Sequence, residues 1–188
     1  MRALPGVLPG TVVFEPTREY PPRDEGICVV DAEVMTMAGV DPRSLVQDIQ
    51  YRLPRGAVHG LTLRTDGGEG KLVRCVSGSV LDVAVDLRPV SSTYRLWMTL
   101  VLDDVEHRSV WLPPGLAHGF QALSEIAEVC MRSNRIRQAE HSAVLQYDDP
   151  DLAIPWPLPV QVLTERERTT PSLAVIEPML CDWFGAVR

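Results

Sequence analysis

Long apolar runs are missing from this 188-residue sequence. A membrane-spanning helix needs about 20 consecutive, mostly apolar residues. Pro5, Gly6, Pro9 and Gly10 also interrupt the uniform apolar core that a secretory signal would need. The sequence therefore predicts a cytoplasmic protein that has no membrane partner. Hydrophobic residues still make up 45% of the chain, enough for a globular domain with a substantial core.

Basic residues are scarce, and lysine is almost absent. The chain has 18 Lys and Arg against 25 Asp and Glu, for a formal net charge of −7, and its one lysine is Lys71. A protein that binds nucleic-acid backbones needs a basic face. The composition therefore excludes nucleic acid as the main partner. An anionic small molecule stays compatible with it, because a local group of arginines can hold a phosphate.

Metal-binding patterns are missing as well. The four cysteines are Cys28, Cys75, Cys130 and Cys181, and the four histidines are His59, His107, His118 and His141. No cysteine pair has CxxC spacing, and no histidine pair has the HxH spacing of metal-binding β-barrels. Phosphate-loop and nucleophile-elbow motifs do not occur either. We therefore predict no bound metal and no other cofactor.

What the sequence does contain is short alternating runs divided by 16 prolines and 13 glycines. In Ser79–Arg88, apolar residues at odd positions alternate with a mixed set that includes Asp82. Such alternation is typical of strands in a sandwich or barrel. Similar runs are Val58–Arg64, Lys71–Val76, Tyr94–Leu102, Arg108–Leu112, His118–Leu123 and Glu128–Asn134. Short helices are predicted over Asp31–Met37, with Asp31 as N-cap, and in Ser172–Glu177 or after Pro178.

Four segments have a familiar order and spacing: Gly70–Arg88, Ser91–Trp97, Trp111–Phe120 and Tyr147–Pro157. From about residue 10 to about residue 175, the chain resembles the dTDP-4-dehydrorhamnose 3,5-epimerase family. The resemblance implies an all-β cupin fold, a double-stranded β-helix or jelly-roll barrel with short peripheral helices. It predicts one cupin domain over residues 1–188, with an extended arm at 1–10 and a tail beyond the match at 178–188. It also implies a homodimer that needs no metal.

The resemblance implies a specific chemistry at the carbons that flank a ketone. The family inverts these carbons in a thymidine-diphosphate 4-keto-6-deoxy sugar. A base must remove a proton, a positive donor must stabilise the enolate oxygen, and an acid must return a proton from the opposite ring face. The family uses a histidine oriented by an aspartate as base, a lysine near the enolate and a tyrosine as acid.

Two of these positions are changed in this sequence. The run that carries the family's base histidine reads His59-Gly60-Leu61-Thr62, which places Thr62 at the base position. The strand that carries the family's tyrosine places Met131 at the acid position. The orienting aspartate falls near Glu167. Neither a threonine nor a methionine can do the family's proton transfers unaided.

The candidate catalytic residues are Lys71, His118, His59 and Glu167. Lys71 occupies the enolate-stabilising position. His118 is either a donor to a substrate oxygen or a buried histidine bonded to Asp82. Strand alternation alone would put residues 59 and 62 on opposite faces. The resemblance implies that both positions belong to the site, so we expect a bend near Gly60 that turns both inward, and His59 could then replace the missing base. The candidate substrate-binding residues are Gln47, Thr62, Asp82, Met131 and Arg137.

Three functions stay open at this point. One is an isomerase of a dTDP-linked keto sugar whose acid and base have been rebuilt. Another keeps the cavity, Lys71 and His118 but isomerises or cyclises a different carbonyl substrate of secondary metabolism. The third is a relative that binds a ligand without catalysis.

Overall fold

The computed structural model describes residues 1–17, 26–163 and 165–184. Strands dominate these residues, and helices are short. The strands are β1 (Arg2–Pro5), β2 (Val12–Glu15), β3 (Gln47–Pro54), β4 (Val58–Arg64), β5 (Lys71–Ser77), β6 (Ser79–Asp86), β7 (Trp97–Asp103), β8 (Ser109–Leu112), β9 (Leu116–Ala122), β10 (Ile126–Ser133) and β11 (Ser142–Val144). The helices are α1 (Ala32–Met37), α2 (Glu165–Arg168), α3 (Leu173–Ile176) and α4 (Leu180–Phe184). The all-β prediction is confirmed.

The strands form two antiparallel sheets. One has the order β1-β2-β8-β5-β10-β3, and the other has the order β11-β4-β9-β6-β7. A buried apolar cluster joins them, with Val73 and Val129 from the first sheet and Val80 and Phe120 from the second. Non-consecutive strands are neighbours in both sheets, as in a jelly-roll barrel.

Both faces of β6 are buried, for different reasons. Val80 and Ala84 belong to the cluster between the sheets, whereas Val83 and Val85 belong to a second cluster on the outer face. The second cluster also contains Leu173 and Ile176 of α3, Leu180 of α4, and Trp183 and Phe184 packed at its edge. The C-terminal segment therefore covers an apolar sheet face that would otherwise meet water.

The chain termini fit the sequence predictions in part. Residues 2–5 form β1, which pairs with β2 of the same chain, so the predicted arm is extended here as a hairpin strand. In the predicted tail, α4 is described and residues 185–188 lie outside the described residues. The division into arm, domain and tail stays a prediction.

In the described part of the chain, every helix is too short or too polar to cross a membrane.

The helix signals at Asp31 and in the C-terminal segment are confirmed, but α2 and the strands β2, β3 and β11 were not predicted. Asp31 accepts hydrogen bonds from the backbone N–H groups of Glu33 and Val34 and caps α1, as expected. In β3, alternate residues from Gln47 onward are partly buried, and the residues between them are exposed. That alternation was present in the sequence, but its inward positions include Gln47 and Tyr51, which do not form a uniform apolar face.

A β-bulge lies in β4 beside the cleft described below. His59 pairs with Phe120 and Thr62 with His118, so three steps along β4 match two along β9. Gly60 takes φ +103° at this point. The expected bend is confirmed, and it brings residues 59 and 62 to the same side of the strand.

Replacing Gly60 by alanine should lower the free energy of unfolding by about 3 kcal/mol, because backbone strain and a clash act together. A Cβ at Gly60 would lie 2.5 Å from the His118 carbonyl oxygen and 2.7 Å from Gly119 Cα. Gly67 is the matched control, since it has φ +89° with open space around its Cβ position. Gly67→Ala should lower the free energy of unfolding by about 1 kcal/mol, which is the contribution of backbone strain alone. Equal losses in the two variants, measured by urea unfolding, would contradict the steric argument.

Candidate active site

A cleft that is open to solvent lies where the edge strand β3 approaches β4. Strands from both sheets contribute side chains to its walls. Six of the nine predicted site residues line it: Gln47, His59, Thr62, Lys71, Met131 and Arg137. The other three, Glu167, His118 and Asp82, do not line it.

The first of these three, Glu167, forms a pair with His59 at the cleft wall. His59 Nδ1 lies 3.1 Å from Glu167 Oε1, and the same oxygen accepts a hydrogen bond of 2.8 Å from the Gly60 backbone N–H. The side chains of His59 and Glu167 are 15% and 3% exposed. The carboxylate holds Nδ1 as the protonated nitrogen, so Nε2 carries the lone pair of a potential base.

Burial lowers the pKa of His59 below its ordinary value of 6.5, because the imidazolium loses solvent. Glu167 opposes that shift through its hydrogen bond and its charge. His59 is therefore neutral at pH 7, the form that a base must have before it accepts a proton.

Lys71 lies in the same cleft and is almost fully buried. Its Nζ is 3.0 Å from Glu69 Oε1 and donates a hydrogen bond of 3.3 Å to Thr62 Oγ1. The Thr62 hydroxyl in turn donates to the His118 carbonyl oxygen at 3.3 Å. Thr62 therefore helps to hold the ammonium group of Lys71 in place.

His118 and Asp82 are packed together inside the barrel. His118 Nε2 lies 2.7 Å from Asp82 Oδ2, and the two side chains are 1% and 2% exposed. Among the described residues, His118 Nδ1 is buried and finds no hydrogen-bond partner. The geometry is that of the buried histidine expected as one of two alternatives, and substrate contact by His118 or Asp82 stays a prediction.

The cleft mouth joins Gln47, Arg137 and Tyr51. Gln47 Oε1 accepts a hydrogen bond of 2.8 Å from the Arg137 backbone N–H. Arg137 Nη1 lies 3.4 Å from the Tyr51 hydroxyl. Met131 of β10 lines the cleft from the sheet opposite the bulge, and its sulfur has no proton to donate.

Sequence reasoning missed several side chains of this cleft, among them Glu69 and Tyr51. Glu69 precedes Gly70, so only its closeness in sequence to Lys71 could have suggested it. Tyr51 belongs to β3, which was not predicted. Within residues 1–17, 26–163 and 165–184, no three His, Cys, Asp or Glu side chains converge as metal ligands would. The absence of a metal stays a prediction.

Comparison with known proteins decides the family. The model of the dTDP-4-dehydrorhamnose 3,5-epimerase family matches residues 6–175. The chain is 36% identical over 169 residues to dTDP-4-dehydrorhamnose 3,5-epimerase of Pseudomonas aeruginosa, covering 89% of this chain and 93% of that protein. This chain belongs to the dTDP-4-dehydrorhamnose 3,5-epimerase family.

Solved structures of dTDP-4-dehydrorhamnose 3,5-epimerase family proteins and their relatives share the fold. NovW, a 4-keto-6-deoxy sugar epimerase from the novobiocin gene cluster of Streptomyces spheroides, superposes with a TM-score of 0.88 at 33% identity, over 95% of this chain and 90% of that one. A Legionella pneumophila dTDP-6-deoxy-D-glucose-3,5-epimerase in complex with dTDP-4-keto-L-rhamnose gives 0.87 at 30% identity, over 95% and 96%. These matches confirm the predicted cupin fold.

Proposed function

We propose that this protein epimerises a dTDP-linked 4-keto-6-deoxysugar with His59, oriented by Glu167, as the base. The buried His59–Glu167 pair at the cleft wall is the observation that carries the proposal. Family membership and the epimerase relatives support the substrate class. Thr62 occupies the position where the family resemblance places a base, but its hydroxyl accepts a hydrogen bond from Lys71.

The proposed reaction begins when His59 Nε2 takes a proton from a carbon next to the ketone. The electron pair of that C–H bond forms the enolate, whose negative charge gathers on the former ketone oxygen. Lys71 stabilises this oxygen. An ammonium group has three N–H donors, so two can hold Glu69 and Thr62 while the third meets the substrate. Arg137 and Gln47 at the cleft mouth are assigned to the diphosphate end of the substrate.

The direct test is solvent exchange with dTDP-4-keto-6-deoxyglucose in D₂O, followed by NMR. The wild-type protein should place deuterium on a carbon next to the ketone and invert its configuration. Thymidine diphosphate should also raise the melting temperature. Failure of both would favour a different carbonyl substrate or a non-catalytic binding role.

The pH profile of the exchange rate tests the assigned base. Because the pKa of His59 lies below 6.5, the rate should stay level near pH 7 and fall only as the pH drops through that lowered value. Glu167→Gln removes the charge that raises the pKa, so the acid limb should move to still lower pH. The maximal rate should drop about tenfold or more, because the amide orients the imidazole less well.

Two further results would bear on this assignment. Glu167→Asp should restore part of the maximal rate and the wild-type position of the acid limb. An acid limb that moves to higher pH in Glu167→Gln would contradict the assigned pair.

The homodimer implied by the family resemblance stays a prediction, for which the mass in solution is the measurement.

A further inference from the structure

Inversion needs a proton donor on the face of the sugar opposite the base. At the position where the family resemblance places a tyrosine, this chain has Met131, whose thioether cannot donate a proton. The cleft nevertheless contains a phenol, on the strand next to Met131.

Tyr51 lies on β3, which pairs with β10. Ile49 is directly opposite Met131, and Tyr51 is directly opposite Val129. Tyr51 is therefore the diagonal neighbour of Met131 on the same face of the sheet, and side chains in that relation lie about 7–8 Å apart or less. The hydroxyl of Tyr51 can thus reach the same region of the cleft that the hydroxyl of a tyrosine at position 131 would reach.

The contacts of Tyr51 place it against the proposed base from the other sheet. Its ring centroid is 4.4 Å from that of His59 and 5.9 Å from that of Phe120. Tyr51 comes from the six-stranded sheet and His59 from the five-stranded sheet. A sugar ring that binds between the Tyr51 hydroxyl and His59 Nε2 must separate the side-chain rings of Tyr51 and His59. The hydroxyl then lies on one face of the sugar and Nε2 on the other.

Arg137 supplies the charge that such a donor needs with one end of its guanidinium, and its remaining N–H donors stay available to the diphosphate. Its Nη1 lies 3.4 Å from the Tyr51 hydroxyl. A guanidinium at that distance stabilises the phenolate that remains after the proton has been given. Tyr51 is only partly buried, so the phenolate can be reprotonated from solvent.

We infer that Tyr51 is the proton donor of this cleft and replaces the acid that is missing at Met131. The inference rests on the proposed function. The Tyr51 O–H bond breaks as a new C–H bond forms on the enolate carbon, on the face opposite His59. The phenolate then takes a proton from water, and the His59 imidazolium returns its proton to solvent. Protons and electron pairs balance without any further reactant.

Tyr51→Phe separates the two half-reactions, because it keeps the ring and removes only the hydroxyl. In D₂O, the inverted product should form at least about 100-fold more slowly than with the wild type. Deuterium should still enter the unreacted sugar with retained configuration, because His59 can return a deuteron to the face from which it took the proton. Tyr147→Phe, outside the cleft, is the control and should behave as the wild type.

A second variant moves the phenol back to β10. Met131→Tyr in the Tyr51→Phe background should recover inversion, since the new hydroxyl reaches the same region. Inversion at the wild-type rate in Tyr51→Phe would overturn the inference while leaving the proposed function intact. So would an equal loss of inversion and exchange, which would indicate a structural role. A wild-type protein that neither exchanges nor inverts would overturn both.

Discussion

Replacing His59 by asparagine should lower the rate of deuterium incorporation into dTDP-4-keto-6-deoxyglucose at least about 100-fold, the usual contribution of a general base. Asparagine keeps an N–H donor close to the position of His59 Nδ1. Glu167 therefore keeps a hydrogen-bond donor there and can still accept from the Gly60 backbone N–H. Asparagine lacks the Nε2 lone pair that would take the proton. The loss of the base should therefore appear in the rate of exchange, measured at a temperature at which the variant is folded.

The matched control is His107→Asn in the β7–β8 connection. His107 has φ +52°, a conformation that asparagine tolerates. This variant should exchange at the wild-type rate. If His59→Asn also exchanges at that rate, another group removes the proton and the assignment of the base is wrong.

Replacing Asp86 by alanine should lower the free energy of unfolding by about 4 kcal/mol, the usual effect of breaking a buried ion pair. The Asp86 side chain is fully buried. It accepts hydrogen bonds from Arg88, at 2.7 Å from Nη2, and from the hydroxyls of Ser91 and Thr93, both at 2.6 Å. Alanine would leave these donors without their acceptor. Urea unfolding at pH 7 measures the loss.

The same carboxylate makes stability depend on pH in acid. Burial opposes ionisation of Asp86, but the hydrogen bonds from Arg88, Ser91 and Thr93 outweigh it and hold the pKa at about 2, below the ordinary 3.8. Its stabilising contribution is therefore fully present above pH 3.8 and is lost as the pH falls through 2. Asp86→Ala should remove this part of the acid dependence.

Asp41 offers a matched control, because it contacts Arg43 in the same way at the same spacing in sequence. The Arg43 backbone N–H and Nε lie 3.0 and 3.1 Å from Asp41 Oδ1, but this pair is exposed to solvent. Water screens such a pair, so Asp41→Ala should lower the free energy of unfolding by only about 1 kcal/mol, the usual cost of losing the cap that Asp41 gives to the following turn. A similar loss in both variants would show that burial is not what makes Asp86 important.

Most of the barrel could be predicted from the sequence because strand signals are local. Alternation in Ser79–Arg88 and the turn residues between the other runs indicated seven of the strands, and the family motifs implied how such strands assemble. The same motifs placed Lys71, Thr62 and Met131 together, and the structure finds all three on the cleft. The bend at Gly60 was expected, because the family resemblance puts both residues 59 and 62 in the site and a regular strand would turn them to opposite faces.

The partners within the site depended on the tertiary structure. The family resemblance placed Glu167 near the position of the orienting aspartate, but only the fold shows that it meets His59 and Gly60, across more than 100 residues of chain. Tyr51 became visible only when β3 paired with β10 and brought it beside His59. The sequence by itself determined which residues alternate, turn and cap, because those preferences act over a few neighbours. Which distant side chains share a proton or an ion pair was decided by the way the two sheets and the C-terminal segment pack together.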